Sequence, residues 1–494
     1  MNYISTRDKS VKVTAAKAIA QGISQEGGLF VPDTFPTLTA DDFKRLSQMD
    51  YKGRAKYILK SFLNDFSEQE VEYCIDGAYT GTFDDEQPAC ISLLGKNINI
   101  LELWHGPTCA FKDLALQLLP YLLTTSAKKV NDGKKTVILV ATSGDTGKAA
   151  LEGFKDVKDT EIIVFYPSEG VSPMQKLQMD SQAGNNVHVC AIKGNFDDAQ
   201  TGVKKIFTDN AVKEKLAEHN MLFSSANSIN WGRLAPQIVY YISAYCDLLL
   251  RDDFEGEFNI VVPTGNFGNI LAAYYAKKMG VPVGKLICAS NANNVLTDFI
   301  NDGTYDRNRD FYTTISPSMD ILISSNLERM LFELCLNDDK KVSAWQNDLS
   351  AKGSFTVDEN VRTKMSGLFW GGCCNDTDTI KTIEKYFKEY GYLCDTHTAV
   401  ALNVYEQYVK ETGDDKATVI ASTASPYKFA KSVLSAVSEK KGKNEFDTVK
   451  LLSSETSTEI PEPIKALENA TVRFKEICEK DKMLESVYSA LKIN

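Results

Sequence analysis

Short apolar runs recur along this chain, each followed by a polar turn and an amphipathic stretch. TVILVA (136–141) leads through TSGDTG into KAALEGF, and IIVFYP (162–167) leads into SEGVSPMQKLQM. VHVCAI (187–192), NIVVPT (259–264), KLICAS (285–290) and TVIAS (418–422) behave the same way. Runs of this length, rich in β-branched residues, predict strands buried on both faces. Strands alternating with helical stretches predict an α/β protein with doubly wound parallel sheets. So many units require two or more sheets. INILEL, from residue 98, is one more strand of this kind.

The leading ~90 residues follow a different pattern. TAAKAIAQGI (14–23), DDFKRL and RAKYILKSFL carry apolar residues at three- and four-residue spacing, which predicts helices. The tail from Glu459 reads as a helical, charged cap. The expected division is a helical unit over 1–95, a large α/β domain over 96–130 and 255–494, and a smaller α/β domain over 131–254. No internal repeat or low-complexity tract is present.

Composition narrows the function classes. The chain has 494 residues, 43% hydrophobic and 24% charged, with a net charge of -11. That acidity argues against nucleic acid, and KKGK (440–443) is too short to track phosphates. The opening MNYISTRDKSVKV has no apolar core, and no window reaches eighteen apolar residues. Neither a secretory signal nor a membrane span is expected. The eleven cysteines form one adjacent pair, Cys373-Cys374, and no C-x-x-C. This predicts reduced thiols in a cytoplasmic protein. The four histidines, at 105, 188, 219 and 397, form no H-x-x-x-H pair, so no metal is expected.

In parallel sheets, ligands bind beyond the carboxyl ends of strands, so the turns there are the candidate sites. GNFGN (265–269) enters a helix whose first N–H groups could hold a phosphate; a tight turn without a ligand is the plainer alternative. TSGDTGKAA (142–150) offers hydroxyls and Asp145 to a carboxylate or phosphate, or Ser143 or Asp145 simply caps the helix. STASPYKF (422–429) ends in Lys428, a phosphate ligand or a surface cation. Walker A and G-x-G-x-x-G spacings are absent, which disfavours an NTPase and a nicotinamide enzyme.

WHGPTCAFKDLALQLLP (104–120) puts Lys112 at the head of a helix with almost no polar face. Two readings stay open on physics alone. Lys112 is a buried amine, relieved by losing its proton or forming a Schiff base. Alternatively it snorkels to water with Asp113 as partner.

Together these motifs resemble one family. HGPTCAFKD is similar to the lysine segment of threonine synthases, which are fold type II pyridoxal-phosphate enzymes (tryptophan synthase β-like). YISTR, GGLFVP, TSGDTG, SINWGR, PTGNFGN, SPSMDI, SSNLER, DTHTAV and STASPYKF resemble that family's blocks in order, over nearly the whole chain. The length resembles the branch found in enteric bacteria and fungi.

The resemblance implies pyridoxal 5'-phosphate bound covalently to Lys112, the catalytic residue. It implies that Gly265, Asn266, Phe267, Gly268 and Asn269 cradle the cofactor phosphate and that Thr423 faces the ring nitrogen. Substrate contacts are expected from Ser143, Asp145, Thr146, Asn230, Arg233, Ser324, Asn326, Arg329 and Lys428. The implied reaction converts O-phospho-L-homoserine and water to L-threonine and phosphate, in a cytoplasmic monomer or homodimer. The alternatives are an O-phosphohomoserine phospholyase, a dehydratase of the same fold, or a cofactor-binding protein without catalysis.

Overall fold

In a computed structural model of the chain, residues 1–493 are described except 85–86, 131–132, 143, 170 and 255, and the side chain of residue 197. In chain order the strands are β1 (Tyr3–Ser5), β2 (Lys12–Val13), β3 (Phe30–Pro32), β4 (Cys90–Leu94), β5 (Ile98–Glu102), β6 (Lys135–Ala141), β7 (Thr160–Pro167) and β8 (Val187–Lys193). They continue with β9 (Met221–Ser224), β10 (Phe258–Pro263), β11 (Val283–Ser290), β12 (Thr304–Asp306), β13 (Ser354–Thr356), β14 (Phe369–Cys373), β15 (Thr418–Ser422) and β16 (Ile477–Glu479). The apolar runs read from the sequence are the central strands.

Two sheets dominate. One has six strands in the order β14-β11-β10-β15-β5-β4, parallel except for β4, which runs antiparallel to β5. The other has five parallel strands in the order β16-β8-β7-β6-β9. The expectation of an α/β chain built on parallel sheets holds. The chain reaches β14 through FWGGC, whose two glycines break the β-branched pattern that betrays the other strands.

The leading unit carries four helices among the described residues, and β1 also pairs antiparallel with β2 and β3. The tail differs from the expected cap on the large unit. Its strand β16 adds to β8 on the five-stranded sheet. Its last helix, Met483–Leu491, buries Met483, Val487 and Leu491 with Val137, Phe165 and Ile192 in one apolar cluster.

The apolar stretch after Lys112 is two helices, Lys112–Leu116 and Leu119–Val130. Pro120 explains the break, because it has no N–H to give the Leu116 carbonyl. Gly153 packs against that carbonyl so closely that an added Cβ would stand 2.0 Å from the oxygen. This contact ties the short lysine helix to the helix Asp145–Phe154, which starts at the five-stranded sheet's TSGDTG turn.

Candidate active site

Strands β10, β15 and β5 are neighbours in the six-stranded sheet and run parallel, so their carboxyl ends lie side by side. The turns singled out in the sequence follow these ends and that of β6: GNFGN after β10, STASPYKF after β15, the lysine segment after β5, and TSGDTG opposite them after β6. The segment before Lys112 is stitched to the turn after β15. Ala110 bridges Ala424, the Phe111 N–H donates to the Thr423 carbonyl at 2.9 Å, and the Ser425 N–H donates to the Cys109 carbonyl at 3.1 Å. Lys112 and Thr423 are thus fixed relative to one another by backbone.

At the centre stands Asp145, the first residue of its helix and 5% exposed. Lys428 Nζ lies 2.8 Å from Asp145 Oδ1, and Lys112 Nζ lies 3.8 Å from Oδ2. Gln175 donates to Oδ1 at 3.0 Å and Ser318 Oγ to Oδ2 at 3.3 Å. Burial alone would raise the carboxyl pKa. The ammonium of Lys428, then that of Lys112, reverse this and hold it well below the usual range. Lys428 is buried rather than a surface cation, and its Nζ also donates to the Thr108 carbonyl at 2.8 Å.

Burial pulls the Lys112 amine down to about 8; Asp145 pulls it up, and Lys428 and Arg233 pull it further down. Asp113 is not its partner. That carboxylate accepts from the Thr108 N–H at 2.8 Å and from Thr108 Oγ1 at 2.6 Å, and burial pushes its pKa up to about 6. The Lys112 side chain is 11% exposed, and its Nζ turns to Asp145 rather than to Asp113.

The GNFGN turn has the features of an anion cradle. The helix Gly268–Lys278 begins at Phe267, held at φ 61°, and no side chain caps it. Its first N–H groups have no partner within the helix and carry partial positive charge. At Gly265 an added Cβ would stand 2.8 Å from the Ser318 carbonyl, so only glycine lets that strand end approach. Ser324 Oγ donates to the Gly265 carbonyl at 2.8 Å, and the Asn326 N–H to the Asn266 carbonyl at 3.1 Å. The amide nitrogens of Asn269 and Asn326 are buried without a hydrogen-bond partner. Orphaned donors beside an uncapped helix N-terminus fit a phosphate bound there.

Other expected contacts are engaged elsewhere. Asn230 caps the helix Trp231–Leu248 through Gly232 N–H at 2.9 Å, and its amide donates to the Ile19 and Ser225 carbonyls. Arg329 donates to the Phe30 and Ile229 carbonyls and to Asn326. Arg233 gives one bond to the Ala226 carbonyl and keeps a buried, unpartnered Nε. Burial pulls both guanidinium pKa values down to about 10, which leaves them charged at neutral pH. Thr146 is half-buried in the first turn of its helix, and Ser143 lies outside the described residues. The hydroxyl that closes this turn is that of Thr142, accepting from the Gly144 and Gly147 N–H groups at 3.0 Å each; Asp145 is left free for the lysines.

The sequence motifs assign no role to Gln175, Ser318 or His397. Ser318 couples the two sides of the site, with its hydroxyl on Asp145 and its N–H donating to His397 Nε2 at 3.1 Å. That bond makes Nε2 an acceptor, so Nδ1 carries the proton and donates it to Asp395 at 2.7 Å. The signal lies in SPSMDI and DTHTAV, but only the fold reveals their contact.

Residues 2–79 match the model described as threonine synthase N terminus, residues 88–348 that of pyridoxal-phosphate dependent enzyme, and residues 398–487 that of threonine synthase, C-terminal. The chain belongs to the threonine synthase family. It is 37% identical to threonine synthase of Saccharomyces cerevisiae, covering 88% of this chain and 89% of that protein. The pyridoxal-phosphate-bound threonine synthase structure from Brucella melitensis superposes with a TM-score of 0.88 at 34% identity, covering 99% of both chains. The chain is also 40% identical to human threonine synthase-like 1, over 88% of its own residues but only 60% of that relative's length. The family resemblance read from the ordered motifs therefore holds. Among the described residues, no helix is long and apolar enough to cross a membrane.

Proposed function

We propose that the chain is a threonine synthase, converting O-phospho-L-homoserine and water to L-threonine and phosphate with pyridoxal 5'-phosphate. The observation that carries this reading is Lys112. Its side chain is only 11% exposed, its amine faces the Asp145 carboxylate, and Ser318 joins that carboxylate to the Gly265 turn leading into the uncapped helix Gly268–Lys278.

In this reading Lys112 holds the cofactor, and the N–H groups of Gly265 to Asn269 bind its phosphate. Thr423 would offer a neutral hydroxyl to the ring nitrogen. When bound, the cofactor supplies an electron sink that acidifies the substrate's Cα–H. The free Lys112 amine would take the substrate's Cα proton and later return protons to the carbon skeleton. Asp145 holds that amine in place while Lys428 neutralises the carboxylate. The substrate phosphate leaves from Cγ and water adds at Cβ. Arg233, with its unpartnered Nε, is the cation best supplied to meet that phosphate; Asn230 and Arg329 are largely committed to main-chain carbonyls. The protein would work in the cytoplasm, as a monomer or homodimer.

Supplying O-phospho-L-homoserine to the purified protein with cofactor tests this. Equimolar threonine and phosphate are expected. The accumulation of 2-oxobutyrate and ammonia with no threonine would replace this reading with a phospholyase.

A further inference from the structure

We propose that Cys90, Glu102 and His105 form a site for a divalent transition ion of the zinc class. Sequence spacing hides it, because the donors meet through the sheet. Cys90 and Glu102 are direct partners across the antiparallel pair of β4 and β5, and His105 follows three residues after the end of β5. Among the described residues, this group brings one thiol, one imidazole and one carboxylate within 4.8 Å of one another.

The separations suit one ion. Cys90 Sγ lies 3.3 Å from His105 Nε2, His105 Nε2 lies 3.1 Å from Glu102 Oε2, and Cys90 Sγ lies 3.9 Å from the same oxygen. Donors on a tetrahedral ion, with bonds of about 2.0–2.3 Å, lie roughly 3.3–3.8 Å apart. The small adjustments needed fall to side chains that are half-buried at Cys90 and His105, so an ion can reach them from solvent.

The outer contacts are those a metal site needs. His105 Nδ1 faces Asp84 Oδ1 at 2.9 Å, which fixes the ring and directs the lone pair of Nε2 at the other two donors. Glu102 divides its oxygens: Ser92 Oγ and Tyr392 Oη donate to Oε1 at 3.1 and 2.9 Å, and Oε2 faces Cys90 and His105. The imidazole also stacks on Trp104, with centroids 4.4 Å apart. Trp104 in turn donates to Ser422 Oγ at 3.1 Å, beside Thr423. Three donors among the described residues leave a fourth position for water, the arrangement of an open rather than a closed structural site. None of the three donors belongs to the machinery assigned above.

The test is equilibrium dialysis of the cofactor-loaded protein against zinc chloride in phosphate-free buffer, on a Cys373→Ser background that removes the exposed thiol. Cobalt(II) is the spectroscopic probe, read in its visible ligand-field bands. One zinc per chain, tetrahedral cobalt bands, and a melting temperature that rises by several degrees with zinc are expected. Cys90→Ser and, separately, His105→Gln should each lower zinc affinity at least tenfold and abolish the thermal shift, with threonine formation without zinc unchanged. Two variants guard against one failing to fold. No stoichiometric zinc, or binding that persists equally in both variants, would overturn the proposal.

Discussion

Lys112 stands 3.8 Å from Asp145, at the outer edge of an ion pair, on an oxygen that Lys428 does not occupy. The carboxylate is thus shared unequally, and the lysine it holds less tightly has its pKa at about 8. The sign is set by burial, which disfavours the ammonium. Between about 8 and the ordinary 10.5, the folded protein binds fewer protons at Lys112 than the unfolded chain does. Stability of the cofactor-free protein should therefore rise with pH across that window, and Lys112→Met should remove this part of the rise. Urea midpoints of the two proteins between pH 7.5 and 10.5 give the comparison, the range being ~3 units around the shift.

The neighbours of Lys112 act in opposite directions. Asp145→Asn removes the charge that stabilises the ammonium, so the amine should titrate lower. Lys428→Met removes a repelling charge, so it should titrate higher. The readout is the pH dependence of pyridoxal-phosphate capture by the cofactor-free protein, trapped with borohydride and located by peptide mass analysis. Midpoints that move in the same direction in both variants would contradict this electrostatic assignment.

The pair Asp145–Lys428 is buried, so breaking it should cost more than its absence. Lys428→Met leaves Asp145 with the hydrogen bonds of Gln175 and Ser318 and the longer ion pair to Lys112, and a loss of about 3–5 kcal/mol is expected. The double variant Asp145→Leu/Lys428→Met should recover much of that stability while threonine formation stays lost. A recovery of activity along with stability would mean the pair serves the fold alone.

Much of this arrangement is legible in the sequence because buried parallel strands announce themselves. TVILVA and NIVVPT read as strands, and the turns after them follow as ligand sites from the rule that parallel sheets bind at their carboxyl ends. The remainder depends on contacts that no local pattern encodes. Ser318 meets Asp145 across 173 residues and His397 across 79. The motif leaves Lys428 open between a phosphate ligand and a surface cation, because its partner lies on the other sheet's turn. Cys90, Glu102 and His105 fit no spacing rule because cross-strand register, not sequence distance, brings them together. The Thr142 cap also escapes, since several hydroxyls in TSGDTG could serve.

Gly265 should tolerate no side chain. A Cβ there would stand 2.8 Å from the Ser318 carbonyl, a backbone atom that cannot rotate away. Relief requires moving Ser318, which also loosens its contacts with Asp145 and His397. Gly265→Ala should weaken cofactor binding by roughly tenfold, about 1.4 kcal/mol. Titration of the cofactor-free variant, followed by absorbance, measures it, and unchanged affinity would show that this turn has slack.

The C-terminal tail should be part of the five-stranded sheet's stability. Strand β16 covers the β8 edge, and Arg473 secures its approach through hydrogen bonds to the Gln182 and Gly184 carbonyls. Behind it Met483 is 1% exposed and packs where Gly202 leaves room; a Cβ on Gly202 would stand 2.3 Å from its sulfur. Met483→Ala opens a cavity in that cluster and should cost about 2–5 kcal/mol. Removing residues 471–494 should do more, since it uncovers both an edge strand and the apolar face of the helix Phe196–Thr208. The truncated protein should aggregate at a temperature where Met483→Ala remains folded. The borohydride-trapped cofactor should still map to Lys112 in the soluble fraction, because strand β16 and the last helix pack on β8 and the Val137–Phe165 cluster. Thermal scans with light scattering test the first point and peptide mapping the second; a tail-less protein as stable as the full chain would refute the assignment.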